Sequence, residues 1–261
     1  MKFSQVLTSV ALAAAAFSAS AANLTIDGTS SPYQLLSSTA TIQFTDDVTN
    51  AESSVVGAFS VASISLGATG AATLDAGSYA TGEDFVHVIA PVSSVVVDTA
   101  TGGFVSVAST GGMSQTAPKS SAANGGTITI SNLTVDFATK QIFGDVSGSS
   151  LAGTTVSGNK AIFTFQDLVG PSTFTALAAG QTATFTNTLT HLTLTTAGVA
   201  DIKTALGLKG IGATTLNNLT DFGSIVSTIT VTAAVPEPST YAMLGVGLAM
   251  AGVVARRRRQ A

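Results

Sequence analysis

Phe85-Val86-His87-Val88-Ile89 places Val86 and Val88 on one side of an extended chain and His87 on the other, because successive side chains of a strand point to opposite faces. The same period of two runs through Thr41-Ile42-Gln43-Phe44, Thr127-Ile128-Thr129-Ile130, residues 162–165 and residues 190–194, each the pattern of a half-buried strand. Val95-Val96-Val97 fits a strand buried on both faces. Turn chemistry separates these runs at Gly102-Gly103, Gly111-Gly112, Asn124-Gly125-Gly126 and Ser157-Gly158-Asn159. Residues 134–146 form a predicted hairpin, with Leu133, Val135 and Phe137 on one face and Ala138-Thr139-Lys140 at its turn. A single short helix is expected, capped by Thr196, carrying Val199, Ile202, Ala205 and Leu206 on one face and ended by Gly207. Residues 114–124 are expected to be an exposed loop. The fold class is therefore all-β, a β-sandwich-like domain with one short helix. A parallel β-helix is the second architecture this composition allows, although no regular repeat supports it.

Composition narrows the chemistry. Of 261 residues, 9% are charged, against about 25% in an average globular domain. Cysteine and tryptophan are absent and there are two histidines, which excludes a disulfide framework, a cysteine-based metal site and a thiol nucleophile. Residues 23–234 contain five lysines, no arginine and thirteen acids, a net charge of −8. That balance argues against nucleic acid, whose binding rests on basic contacts with phosphates, and against attraction to anionic membrane surfaces. Mean hydropathy is positive, so the low charge points to a folded domain rather than disorder.

The two ends have their own character. Lys2, an apolar stretch over residues 6–17 and Ala19-Ser20-Ala21 form the pattern of a secretory signal, with cleavage by signal peptidase expected after Ala21 or Ala22. At the other end, Pro236-Glu237-Pro238 is followed by an uncharged run over residues 240–255 and then by Arg256, Arg257, Arg258 and Arg259. As a helix that run would reach about 24 Å, somewhat less than the ~30 Å hydrocarbon core of a bilayer. The arginines mark its cytoplasmic side, which puts the body on the periplasmic side, as the signal sequence also requires. A C-terminal transmembrane helix is expected.

This tail resembles the PEP-CTERM sorting signal, in which a Pro-Glu-Pro motif, a short membrane segment and an arginine cluster follow one another at the C-terminus. The resemblance covers residues 235–261. It implies an exosortase-like membrane protease as handler and a Gram-negative host that makes exopolysaccharide. It also implies Pro236, Glu237 and Pro238 as the recognition element and Arg256 to Arg259 as the cytoplasmic stop. The division is then 1–22 signal peptide, 23–234 β-rich extracytoplasmic domain and 235–261 sorting tail. A weaker likeness links Gly126 to Leu133, Phe143 to Val146 and Leu194 to Val199 to the haem-capture β-modules of some bacterial surface proteins. No tyrosine stands where an axial ligand would be needed, and no cofactor is expected.

The body offers little catalytic chemistry. His87 and His191 each read as strand histidines without a neighbouring carboxylate at ligand spacing. Asp46, Asp47 and Glu52, and Asp75, Glu83 and Asp84, form two loop clusters that suit calcium in ligand type but do not match the EF-hand spacing. They read as solvated carboxylates and no metal is assigned. Ser157 and Lys160 fit Ser-x-x-Lys, which functions on a helix, whereas here it falls on a glycine turn. The expectation is a non-enzymatic protein, first membrane-tethered and then at the cell surface or in a biofilm matrix, structural or adhesive in association with exopolysaccharide. A carbohydrate- or calcium-binding module is the alternative, and a secreted hydrolase with paired carboxylates the next.

Overall fold

The computed structural model describes residues 23–29, 32–46, 54–76 and 85–235, together with 246, 247 and 250. The chain begins with β1 (Asn23–Asp27), β2 (Tyr33–Leu35), β3 (Thr39–Phe44), helix α1 (Val55–Val61), β4 (Ser65–Thr69) and β5 (Thr73–Ala76). It continues with β6 (Val86–Asp98), β7 (Phe104–Ser109), β8 (Gly112–Ala117), β9 (Gly126–Asp136), β10 (Gln141–Ser150) and β11 (Thr155–Thr164). The last elements are β12 (Asp167–Val169), β13 (Thr182–Thr190), β14 (Thr193–Leu194), helices α2 (Thr196–Leu206) and α3 (Gly210–Asn218), and β15 (Gly223–Ala233).

The valine-rich strand β6 belongs to both layers. Its first half pairs with β3 and β5, its second half with β1 and β7. Pro91 stands where the strand passes from one sheet to the other, a place where a missing amide donor does least harm. A bulge at Val92/Ser94 then shifts the register by one residue. Val86, Val88, Ala90 and Val92 face the core before it, and Val95 and Val97 after it. Val96 is only half-buried, so this run is buried on one face and not on two.

One sheet runs β12-β13-β15-β3-β6 and the other β6-β7-β9-β10-β11-β14. β8 lies beside the first half of β9, in line with β7, and β4 beside β8. Every strand pair is antiparallel, which sets aside the parallel β-helix. At the far edge the chain changes layers again, from β11 to β12 and back from β13 to β14. The result is a flattened sandwich joined along both sides.

The hairpin of β9 and β10 forms as expected. The helix ended by Gly207 also forms, with Gly207 left-handed at φ 62°. Its cap is Thr195 rather than Thr196: the Thr195 hydroxyl accepts from the Gly198 amide and donates to the Ala161 carbonyl. Two further helices were not foreseen. α1 is built from valines and a phenylalanine, residues that favour strands, and α3 is glycine-rich. Both are short enough that packing, not propensity, decides their state. Of residues 114–124, expected as an exposed loop, 114–117 are strand, in β8, and 118–124 form an irregular connection. Met113, Gln115 and Ala117 alternate into the core along β8, and Ala122 and Ala123 are buried. Ser157-Gly158-Asn159 is not a turn but the middle of β11. Residues 190–194 are two strands divided by His191 at φ 52°.

The interior has two parts. Near the C-terminal end of β15, Ile26, Val95, Val97, Phe104, Phe174, Ile229 and Val231 form one cluster. Nearer its start, Phe44, Val88, Met113, Ile142, Leu206 and Ile225 form a larger one beneath the three helices. Between them, on the inner face, β13 and β15 place Asn187 opposite Ser227.

Candidate functional site

The chain stays tied to the domain until the tail begins. The amide of Ala233 donates to the Gln181 carbonyl and its own carbonyl accepts from the Gly180 amide. The Ala234 amide donates to the Pro32 carbonyl at 2.7 Å. Pro236, Glu237, Pro238 and Arg256 to Arg259 lie outside the described residues, as do Ala21 and Ala22. β1 starts at Asn23, opposite Asp98, immediately after the expected signal cleavage. Among the described residues no helix is long and apolar enough to cross a membrane, and of residues 240–255 only three are described, so the expected membrane helix falls outside them.

The outer face of the β13–β15 pair is a grid of threonines. Alternation puts Thr182, Thr184, Thr186, Thr188 and Thr190 of β13 on the side opposite Phe185, Asn187 and Leu189, and β15 adds Thr228, Thr230 and Thr232. The register sets Thr182 against Thr232, Thr184 against Thr230 and Thr186 against Thr228. The Thr182 hydroxyl donates to that of Thr232 at 3.1 Å, and those of Thr184 and Thr230 are 3.0 Å apart. Strand geometry spaces such hydroxyls by about 7 Å along a strand and about 5 Å across strands. Each hydroxyl can donate once and accept twice, so a paired threonine still has capacity for an outside partner. The alternation was visible in the sequence, but its cross-strand alignment depends on a pairing between segments some 40 residues apart.

A second polar feature sits at the corner where the chain changes layers. His191 Nδ1 lies 2.9 Å from Asp221 Oδ2, beside an open cleft lined by Thr164, Gln166, Thr193 and Thr220. Asp221 Oδ1 accepts from the Gly223 amide, which fixes the carboxylate. The left-handed backbone turns His191 away from the strand direction expected for it. Nothing in the sequence spacing announces its partner, which lies thirty residues on.

The remaining candidates are dispersed. His87 faces outward, as expected, and β5 brings Asp75 to the position opposite it, with the Phe85 ring stacked nearby. Asp46 and Asp75 are exposed, while Asp47, Glu52, Glu83 and Asp84 lie outside the described residues. Among the described residues no group of three or more potential metal ligands gathers. Ser157 and Lys160 stand on opposite faces of β11, and Lys160 Nζ contacts both oxygens of Asp201 on α2, at 3.0 and 2.8 Å. Asp145 is hydrogen-bonded by the side-chain amides of Asn159 and Asn132, which hold its carboxyl below the usual aspartate range.

Beneath the helices the two sheets enclose an apolar cavity of about 90 Å³. Val88 and Ile225 line one wall, Met113 and Ile130 the other, and Phe59 and Leu216 the helical side.

A comparison with curated proteins gives no match. Among solved structures, the C-terminal domain of HtaA from Corynebacterium glutamicum is similar at a TM-score of 0.43 and 15% identity, over 76% of this chain and 98% of that one. No family matches the body; the PEP-CTERM protein-sorting motif matches residues 234–259. The tie between Ala234 and Pro32 thus lies at the first residue of that match. The chain carries a C-terminal PEP-CTERM protein-sorting motif, and with it the mark of a protein exported to the cell envelope and processed by an exosortase.

Proposed function

We propose that the mature domain is a non-enzymatic structural or adhesive protein of the cell surface or matrix that associates with exopolysaccharide. The observation that carries this reading is the uncharged threonine grid on β13 and β15, a broad face of hydroxyl and methyl groups. Hydroxyls in ranks can exchange hydrogen bonds with a polysaccharide without the desolvation cost that charged groups would bring. The tail adds the route. Signal peptidase cleaves after Ala21 or Ala22, the arginines hold the chain at the inner membrane, and the exosortase acts at Pro236-Glu237-Pro238. The domain ends two residues before that motif, so it is presented at the membrane face as a folded unit.

Two measurements on protein recovered from its host test this. Intact mass is expected to show a chain that starts near Asn23 and lacks Arg256 to Arg259; a chain retaining the arginines in a host with a working exosortase counts against processing. Co-sedimentation with the host's exopolysaccharide is expected to weaken about fivefold in the Thr184→Val/Thr230→Val double variant, which keeps shape and removes hydroxyls. Undiminished co-sedimentation removes the grid from the reading. The corner cleft at His191 and Asp221 favours a second reading, a discrete carbohydrate-binding module. In that case His191→Ala, and not the threonine variant, abolishes binding.

A further inference from the structure

The cavity in the helix-capped half is several times larger than the about 10–15 Å³ that a single water needs, and its walls are aliphatic and aromatic. Among the described residues no acidic, basic or histidine side chain lines it. Four polar side chains do: Ser109 and Gln115 from one sheet, Ser227 from the other and Thr215 from α3. Gln115 shares the inner face of β8 with Met113 and Ala117 and is 6% exposed. Ser227, 9% exposed, lies between Ile225 and Ile229 on the inner face of β15. No hydrogen bond joins the Gln115 carboxamide or the Ser227 hydroxyl to another described residue, whereas the Ser109 hydroxyl donates to the Leu133 carbonyl; the fully buried polar atoms left without a partner lie elsewhere, at Thr69 Oγ1 and Asn187 Oδ1. An apolar room with a few polar groups in its wall is the usual form of a small-molecule site. Val61 of α1 lines the same space and remains 40% exposed, which places an entrance beside α1, next to α3.

We propose that this cavity binds a small, uncharged molecule with an apolar body and one hydrogen-bonding group, of the alcohol or phenol class, with Gln115 as its polar contact. Absence of charge in the lining excludes carboxylates and amines, whose desolvation nothing there would offset. The apolar walls select for the body of the molecule and the carboxamide for its single polar group. This site is independent of the threonine face and of tail processing.

The test uses the full exported protein and three probes of similar size: phenol, benzene and benzoate. Phenol is expected to raise Tm in a concentration-dependent way, benzene more weakly, and benzoate not at all. In Gln115→Leu phenol affinity is expected to fall about tenfold while benzene binding persists, and that persistence shows the cavity intact. Ala58→Phe, which fills the space from α1, is expected to abolish both. No response to phenol or benzene overturns the site and leaves a hydrated or empty packing void. An unchanged phenol response in Gln115→Leu, or a benzoate response equal to that of phenol, overturns the role of the carboxamide.

Discussion

The two halves of the sandwich are built from the same strands but closed in different ways. On the tail side, rings fill the space: Tyr33 and Phe174 meet edge-on at 4.9 Å, Phe174 and Phe185 at 5.7 Å, Phe104 and Phe185 at 6.3 Å. In the helix-capped half Phe44 pairs with Phe59 and Phe163 with Phe222, Phe165 reaches the tail side through Phe137 and Phe104, and a cavity remains. There the closure comes from polar ties on the helices. Lys160 reaches Asp201, Thr195 holds the Ala161 carbonyl, and Lys209 Nζ donates to Asn124 Oδ1. Planar rings interdigitate between sheets and leave no gap. Helices laid across a sheet end by their caps and charges span a gap without filling it. The half next to the sorting tail is thereby the dense one, and the half with room for a guest is the one at the start of β15.

Truncation gives the largest expected contrast. Phe104→Ala on the tail side is expected to cost about 3–5 kcal/mol, while Phe59→Ala, which faces the cavity on one side, costs about 2 kcal/mol. Equal costs by chemical denaturation break the comparison. Enlargement reverses the sign. Val231→Leu is expected to lose about 1–3 kcal/mol through overpacking, and Val88→Leu to gain about 0.5–1 kcal/mol by filling space. A loss at both positions means the cavity walls do not yield to a larger side chain. Asp201→Asn removes the tie of α2 to β11. With Asp201 nearly buried and Lys160 one-third exposed, the expected cost is about 1–2 kcal/mol, together with faster amide exchange in α2 and none on the tail side.

The smallest effect is in acid. Asp145 is held below its ordinary value in the fold, so its ionised form contributes stability above the unfolded value of about 3.9 and loses it as pH falls through the lower folded value. Asp145→Asn is therefore expected to lower Tm slightly at neutral pH and to flatten its drop below about pH 4. An unaltered acid limb removes this carboxylate from the acid response.

What the sequence made legible was whatever depends on near neighbours. The faces of β3 and β6 follow from alternation at Phe44, Val86 and Val88. Gly207 ends α2 because a left-handed cap favours glycine. Where the reading failed, a distant partner had overridden local composition. Ser157-Gly158-Asn159 has turn residues, yet β10 on one side and the Asn159–Asp145 hydrogen bond hold it in a strand, with Gly158 at φ 113°. Residues 114–117 look polar, yet β9 and β4 take them into a sheet. Asn132 at φ 52° marks another such place: its side chain bonds both the Gly111 amide and Asp145, stabilising a bulge that no local rule predicts. The His191–Asp221 pair was illegible for the same reason.

By itself, then, the sequence determined an all-β chain, its strand faces and a sorting tail, because alternation, caps and a linear motif are all read within a few residues. The tertiary structure alone decided that β6 serves two sheets, that α1 and α3 are helices, that threonines align into a grid and that Gln115 faces a cavity. Each of these needs segments far apart in the chain to meet, and a register between distant strands is set by the packing of the whole core rather than by either strand.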